Sequence, residues 1–208
     1  MTILKSLTLI PALAVLLALP GHADTGSDAM FRTGVVEALT PGQVVTYDQT
    51  RSGPKAEGFR TIEGGAIILT AKAAETGAEP AVQMAIEQNG QRREMQEFPA
   101  SGGNPVLMVF LEDVTRSMAA IAGGSPFYIR NRMKEALSKA KAEPAGDGVT
   151  QVVMQPFAED PNAPRMGDFA ELKLTIRMKD GLPGYFESLT AETVEGGYHE
   201  AITARVKP

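Results

Sequence analysis

The 208-residue chain has no cysteine, no tryptophan and only two histidines, His22 and His199. Without cysteine there is no thiol nucleophile, no iron–sulfur ligation and no disulfide, and the commonest structural zinc sites are excluded. With so little histidine, most general-base and metal-ligand schemes fall away. A Ser-His-Asp device in the body of the chain would have to use His199. Basic residues are also in deficit: 20 Lys and Arg stand against 25 Asp and Glu, a net charge of −5. That balance argues against general nucleic-acid binding, which needs a basic footprint. Beyond residue 23, no stretch is apolar enough to span a bilayer as a helix.

The opening of the chain is the exception. Lys5 precedes an apolar run from Leu7 to Leu19, broken only by Thr8 and Pro11. Pro20 and Gly21 then stop a helix, and Gly21-His22-Ala23 is a small-x-small site. Signal peptidase reads this order of charge, apolar run, breaker and small residues. A helix over the run is roughly 20 Å long, short of the ~30 Å hydrocarbon core. Residues 1–23 are therefore expected to be a cleavable signal peptide, leaving a mature chain from Asp24 that is periplasmic or secreted and has no transmembrane span. No cysteine follows the run to carry a lipid anchor, and no arginine pair precedes it. Loss of Lys5 takes the net charge from −5 to −6.

Residues 24–34 are polar and contain glycine, and are expected to be a flexible lead-in. Val44, Val45 and Tyr47 form a short strand-like run, and residues 51–58 carry turn signals. Ala66 to Ala71 suit a buried strand. The pattern over 82–98 is a hairpin. Asn89-Gly90 favours a type I′ turn, which sets Gln88 against Gln91 and Glu87 against Arg92. The period then changes. Asn104-Pro105 starts a helix that carries Leu107, Phe110, Leu111, Val114, Met118 and Ile121 on one stripe, and Gly123-Gly124 ends it. Ser125-Pro126 starts a second helix, which runs toward Pro144. A strand follows within Val149 to Phe157, then a loop over 158–168 expected to be solvated. Leu172, Leu174, Ile176 and Met178 alternate with charged or polar residues as a half-buried strand. Tyr185–Val194 and Tyr198–Val206 complete a three-stranded meander, with His199 expected opposite Val194 across a Gly196-Gly197 turn.

The order strands, two helices, strands predicts one α+β domain over residues 35–208. A curved, largely antiparallel sheet would carry the two consecutive helices on one face. This layout resembles the periplasmic lipoprotein carriers of the outer-membrane sorting pathway. The resemblance lies in element order and implies no site residue.

The local motifs read as structure. His199-Glu200 begins like a zinc-protease signature, but Thr203 stands where the second histidine is required. Ser138 to Lys141 matches S-x-x-K, yet Ser138 falls in the last turn of a helix, where the dipole disfavours an alkoxide. The glycines before each helix are helix punctuation and fit no phosphate loop. Asp160, Asn162 and Asp168 crowd one loop with Glu159, but at no calcium-loop spacing.

Two features remain as functional candidates. The second helix carries Arg130, Arg132, Lys134, Lys139 and Lys141 against Glu135 alone, a surplus of four positive charges. Phe127, Tyr128, Arg130, Arg132 and Lys134 are the candidate contact with an envelope protein or an anionic lipid surface. A charged outer face that merely complements the helix dipole accounts for the same residues. Methionines on inward faces are the second feature. Met84, Met118 and Met178 are candidates to line a site for an apolar small molecule or lipid, and core packing explains them equally well. The reading is an exported, non-enzymatic binding protein that needs no cofactor or metal. Two alternatives stand beside it: an accessory envelope protein with a solid core, and a hydrolase using carboxylates such as Asp168, Glu171 or Glu187.

Overall fold

The computed structural model describes residues 25–74, 77–194 and 197–206. The expected leader lies outside these residues, as does Gly196 of the expected last turn. The described chain contains three α-helices and one nine-stranded antiparallel sheet, so it is α+β with sheet predominating.

The strands are β1 (Val44–Ser52), β2 (Ile62–Lys72), β3 (Ala81–Gln88), β4 (Gln91–Pro99), β5 (Ala142–Pro144), β6 (Val149–Met154), β7 (Lys173–Lys179), β8 (Phe186–Glu192) and β9 (His199–Ala204). Their order in the sheet is β4-β3-β2-β1-β9-β8-β7-β6-β5. Each half is a plain meander, and the halves meet where β1 pairs with β9. The helices α2 (Val106–Ala122) and α3 (Pro126–Lys139) carry the chain from one sheet edge, β4, to the other, β5. Both edges discourage further pairing. β4 is exposed and charged, with Arg92, Arg93, Glu94 and Glu97, while β5 is three residues long and ends in Pro144.

Local chemistry sets these elements. Asn89 and Gly90 take φ of 51° and 75°, the conformation a type I′ turn demands, and Gln88 and Glu87 pair with Gln91 and Arg92 as the sequence predicts. At the start of α2, Asn104 Oδ1 accepts the Val106 N–H at 3.0 Å. Leu107, Phe110, Leu111, Val114 and Met118 are all buried along α2. Each contributes about 1.5–3 kcal/mol of gross burial. That outweighs helix propensity, which leaves an isolated helix of this length marginal in water. In β7 the burial alternates strictly, with Leu174, Ile176 and Met178 inward. The inward residues of both sheet halves and of α2 and α3 belong to one hydrophobic cluster.

Several details depart from the sequence reading. The expected loose lead-in contains α1 (Gly26–Met30), with Ala29 and Met30 buried. Gly26 donates its N–H to the Ala140 carbonyl at 2.9 Å, and a Cβ there would collide with Ala140. Docking on the end of α3 thus orders a segment whose composition alone looks polar. The C-terminal meander has five strands, because β5 and β6 extend it. His199 pairs with Glu192 and not with Val194. The Thr193 N–H donates to the Tyr198 carbonyl and the Thr193 hydroxyl accepts from the Tyr198 N–H, so the connection is wider than a two-glycine turn. The loop after β6 is not simply solvated, since Asp160 is buried.

Candidate functional site

Alternation along β1 puts Val45, Tyr47 and Gln49 on the buried face, with Arg51 next in line. On β9 the same alternation turns Glu200 and Ile202 inward, following Tyr198. On β1 apolar residues hold the first part of the row and polar ones continue it, while on β9 Glu200 lies between Tyr198 and Ile202. Arg51 and Glu200 are direct cross-strand partners. The Arg51 guanidinium donates to Glu200 through Nε and Nη2, each at 3.0 Å. Gln49 Nε2 donates to Glu200 Oε1 at 3.2 Å, and the Tyr198 hydroxyl donates to Oε2 at 2.6 Å. Glu200 therefore has four donors and no exposure to solvent.

From above, α2 presents Asp113 and Ser117, one turn apart. Asp113 Oδ2 lies 2.6 Å from Arg51 Nη2 and accepts from Gln49 Nε2 at 3.0 Å. Gln49 Oε1 in turn accepts from Gln88 Nε2 at 2.8 Å, which brings β3 into the network. Burial pushes the Glu200 carboxyl above its ordinary 4.5; Asp113 adds to this, while Arg51 and Tyr198 act against it. Burial alone would lower the Arg51 guanidinium, but Glu200 and Asp113 more than reverse that and hold it firmly charged. Burial and the neighbouring Glu200 charge both raise the Tyr198 hydroxyl, so it stays protonated and donates.

This network floors a cleft of about 550 Å³ between β1–β4 and α2. Phe59, Ile62 and Ile86 form its apolar wall, and Arg51, Arg60, Arg93 and Arg116 its cationic side. Gln88, Asn89 and Gln91 of the hairpin turn and Asp113 and Ser117 of α2 complete it. A second cleft of about 590 Å³ shares Phe59, Arg60 and Asn89 with it. The cleft can hold a molecule by charge, hydrogen bonds and apolar contact. Glu200 lies beneath the surface with its oxygens engaged, so it positions Arg51 and does not itself meet a ligand.

The residues singled out in the sequence lie elsewhere. Met84, Met118 and Met178 are buried in the hydrophobic cluster, and none lines the clefts described. On α3, Tyr128 donates its hydroxyl to Asp160 at 2.8 Å and accepts from Asn162 Nδ2 at 2.9 Å. Arg132 lies 2.7 Å from both Glu135 and Asp160, and Arg130 grips Glu112 of α2 at 2.9 and 3.0 Å. Much of the helix's positive charge is thus matched inside the molecule. Phe127, 71% exposed, and the exposed Lys134 remain outward. Ser138 donates to the Glu135 carbonyl, one turn back. Glu187 is paired with Arg177 at 2.7 Å, while Asp168 and Glu171 are exposed. Among the described residues no cluster of three or more His, Asp or Glu gathers to hold a metal.

Arg51 and Asp113 belong to no motif, and Glu200 enters the sequence reading only in the incomplete zinc-protease signature, although a signal exists for Arg51 and Glu200. Continuing the period of two from Tyr47 reaches Arg51, and continuing it from Ile202 back to Tyr198 passes through Glu200. Charged residues at inward positions of two strands call for a shared partner.

No family model matches the chain, and no curated protein matches it. Among solved structures, the crystal structure of the Mycobacterium tuberculosis lipoprotein LppX is similar at a TM-score of 0.27 and 9% identity, over 82% of this chain and 87% of that one.

Proposed function

We propose that the protein is an exported, non-enzymatic binding protein, periplasmic or secreted, whose cleft between sheet and α2 receives a small partly apolar molecule. In this reading the sheet curves about both helices on one face, and the cleft opens where α2 leaves the sheet. One observation carries the reading: a cleft of about 550 Å³ has apolar and cationic walls on a floor of fully engaged side chains. Such a concave, mixed surface with few convergent polar groups is the usual form of a small-molecule site. The pairing of the α3 cations with Glu112, Glu135 and Asp160 favours this cleft over the basic helix as the working surface.

Native mass spectrometry on mature protein purified without detergent tests the proposal. The expected result is a chain starting at Asp24 with a non-covalent adduct of a few hundred daltons. Protein that carries no adduct and takes up nothing from an envelope lipid extract would overturn it.

A further inference from the structure

We infer that Arg60 and Arg93 bind the oxyanion head of the ligand, so that the cleft takes an anionic amphiphile: a carboxylate or phosphate monoester on a short apolar body. This rests on the binding-protein reading above and names its ligand class.

The argument begins with unmatched charge. Most arginines of the described residues sit within 4.0 Å of a carboxylate. Among the described residues Arg60, Arg93 and Arg165 form no such pair. Two of these three, Arg60 and Arg93, line the same cleft. Arg60 enters it from the segment before β2, and Arg93 from β4, where it is the cross-strand partner of Ile86. The other two arginines of the lining are already answered, Arg51 by Asp113 at 2.6 Å and Arg116 by Glu112 at 2.7 Å. Asp113 is the one acid of the lining, and it belongs to Arg51. In a chain with net charge −5, two guanidinium forks without a carboxylate within 4.0 Å thus share one concavity.

Arginine suits this task. Its planar fork matches the two oxygens of a carboxylate or phosphate and is desolvated more readily than an ammonium. Beside the two forks, the partly exposed Phe59 ring is the main apolar surface open to a ligand, and Ile62 and Ile86, almost fully buried, back it with their edges. Charge on one side and a small apolar face on the other describe a molecule with a charged head and a short apolar body.

Isothermal titration calorimetry with three probes tests this: dodecyl phosphate, inorganic phosphate and 1-dodecanol. The expected result is binding of dodecyl phosphate alone in the micromolar range. The R60Q/R93Q double substitution should weaken it by about 10–100-fold, as for loss of one charged hydrogen-bonding partner or more. Both side chains are exposed, so the variant should retain the wild-type circular dichroism spectrum. R165Q, outside the cleft, should leave affinity unchanged. Equal binding of dodecanol, or R60Q/R93Q with unchanged affinity, overturns the oxyanion head while leaving the binding-protein reading intact. Equal binding of inorganic phosphate overturns the amphiphile and leaves a simple anion site. Failure of all three probes overturns this inference, and the adduct measurement separately decides the broader reading.

Discussion

Arg51 and Glu200 face each other across the β1–β9 pair, with guanidinium Nε and Nη2 each 3.0 Å from a carboxylate oxygen. The pair sits on the one strand junction that holds the two halves of the sheet together. Removing one partner of a buried ion pair costs about 3–5 kcal/mol when the other charge is left alone. Asp113 still faces Arg51 at 2.6 Å, so the expected cost is at the low end, about 3 kcal/mol. Glu200→Ala should lower the free energy of unfolding by that amount in urea titration. Glu200→Gln, which still accepts from Arg51 and Tyr198, should lose less.

The same carboxyl makes stability depend on pH. Its folded value lies above the ordinary 4.5 because of burial, so its contribution is fully present below the unfolded value and is lost as pH rises through the folded one. Glutamine does not titrate. Urea midpoints measured from pH 4 to 8 should therefore shift in favour of Glu200→Gln, relative to wild type, as pH rises. A constant gap would contradict the buried ionisation.

Asp160 has the opposite sign. Burial raises it, but the Asn162 N–H, the Tyr128 hydroxyl and Arg132 outweigh burial and hold it below its ordinary 3.8. Its contribution is present above the unfolded value and disappears as pH falls through the folded one. Asp160→Asn should destabilise at neutral pH and should flatten the loss of stability expected on acidification below about pH 4.

Asn104 joins three parts of the fold. It caps α2, and its Nδ2 donates to the Tyr47 hydroxyl at 2.8 Å and to the Gly184 carbonyl at 2.6 Å. Loss of a cap costs about 1 kcal/mol, and stranding buried partners costs about 1–3 kcal/mol more. Thermal unfolding of Asn104→Ala should show a total near ~3 kcal/mol, with Tyr47→Phe nearer ~1 kcal/mol.

Gly184 takes φ of 82°, and a Cβ there would run into the Tyr47 hydroxyl. Gly184→Ala should cost about 1–3 kcal/mol from backbone conformation alone, plus the clash. Adding Tyr47→Phe removes the clashing oxygen, so a double-mutant cycle should find the pair less destabilised than the sum of the singles.

Where short-range chemistry decides, the sequence was readable. Asn89-Gly90 placed the hairpin and its first pairs, Gly123-Gly124 separated the helices, and the alternation from Leu172 to Met178 marked β7. Position in the sheet was not readable, because it depends on partners far along the chain. Nothing near Ala142 announces the three-residue β5, which exists because β6 offers it an edge. Ala29 and Met30 look like part of a polar stretch until α3 supplies a surface for them. Met84, Met118 and Met178 lie inward, as their periodicity predicts, within the hydrophobic cluster. The clefts described here take their lining from other residues. Arg51 and Glu200 were passed over because each strand shows only half of the pair.

The strand order also dictates a sequence of events. β1 has β2 as a partner almost at once, but its other edge waits for β9, and the Asp48–Arg205 contact beside it spans 157 residues. Long-separation pairing is slow to form. A polypeptide delivered from its N-terminus onward keeps that edge of β1 open until the β9 residues have arrived. A chain cut short before His199 would hold two unjoined meanders, each with a bare edge prone to pairing with other chains.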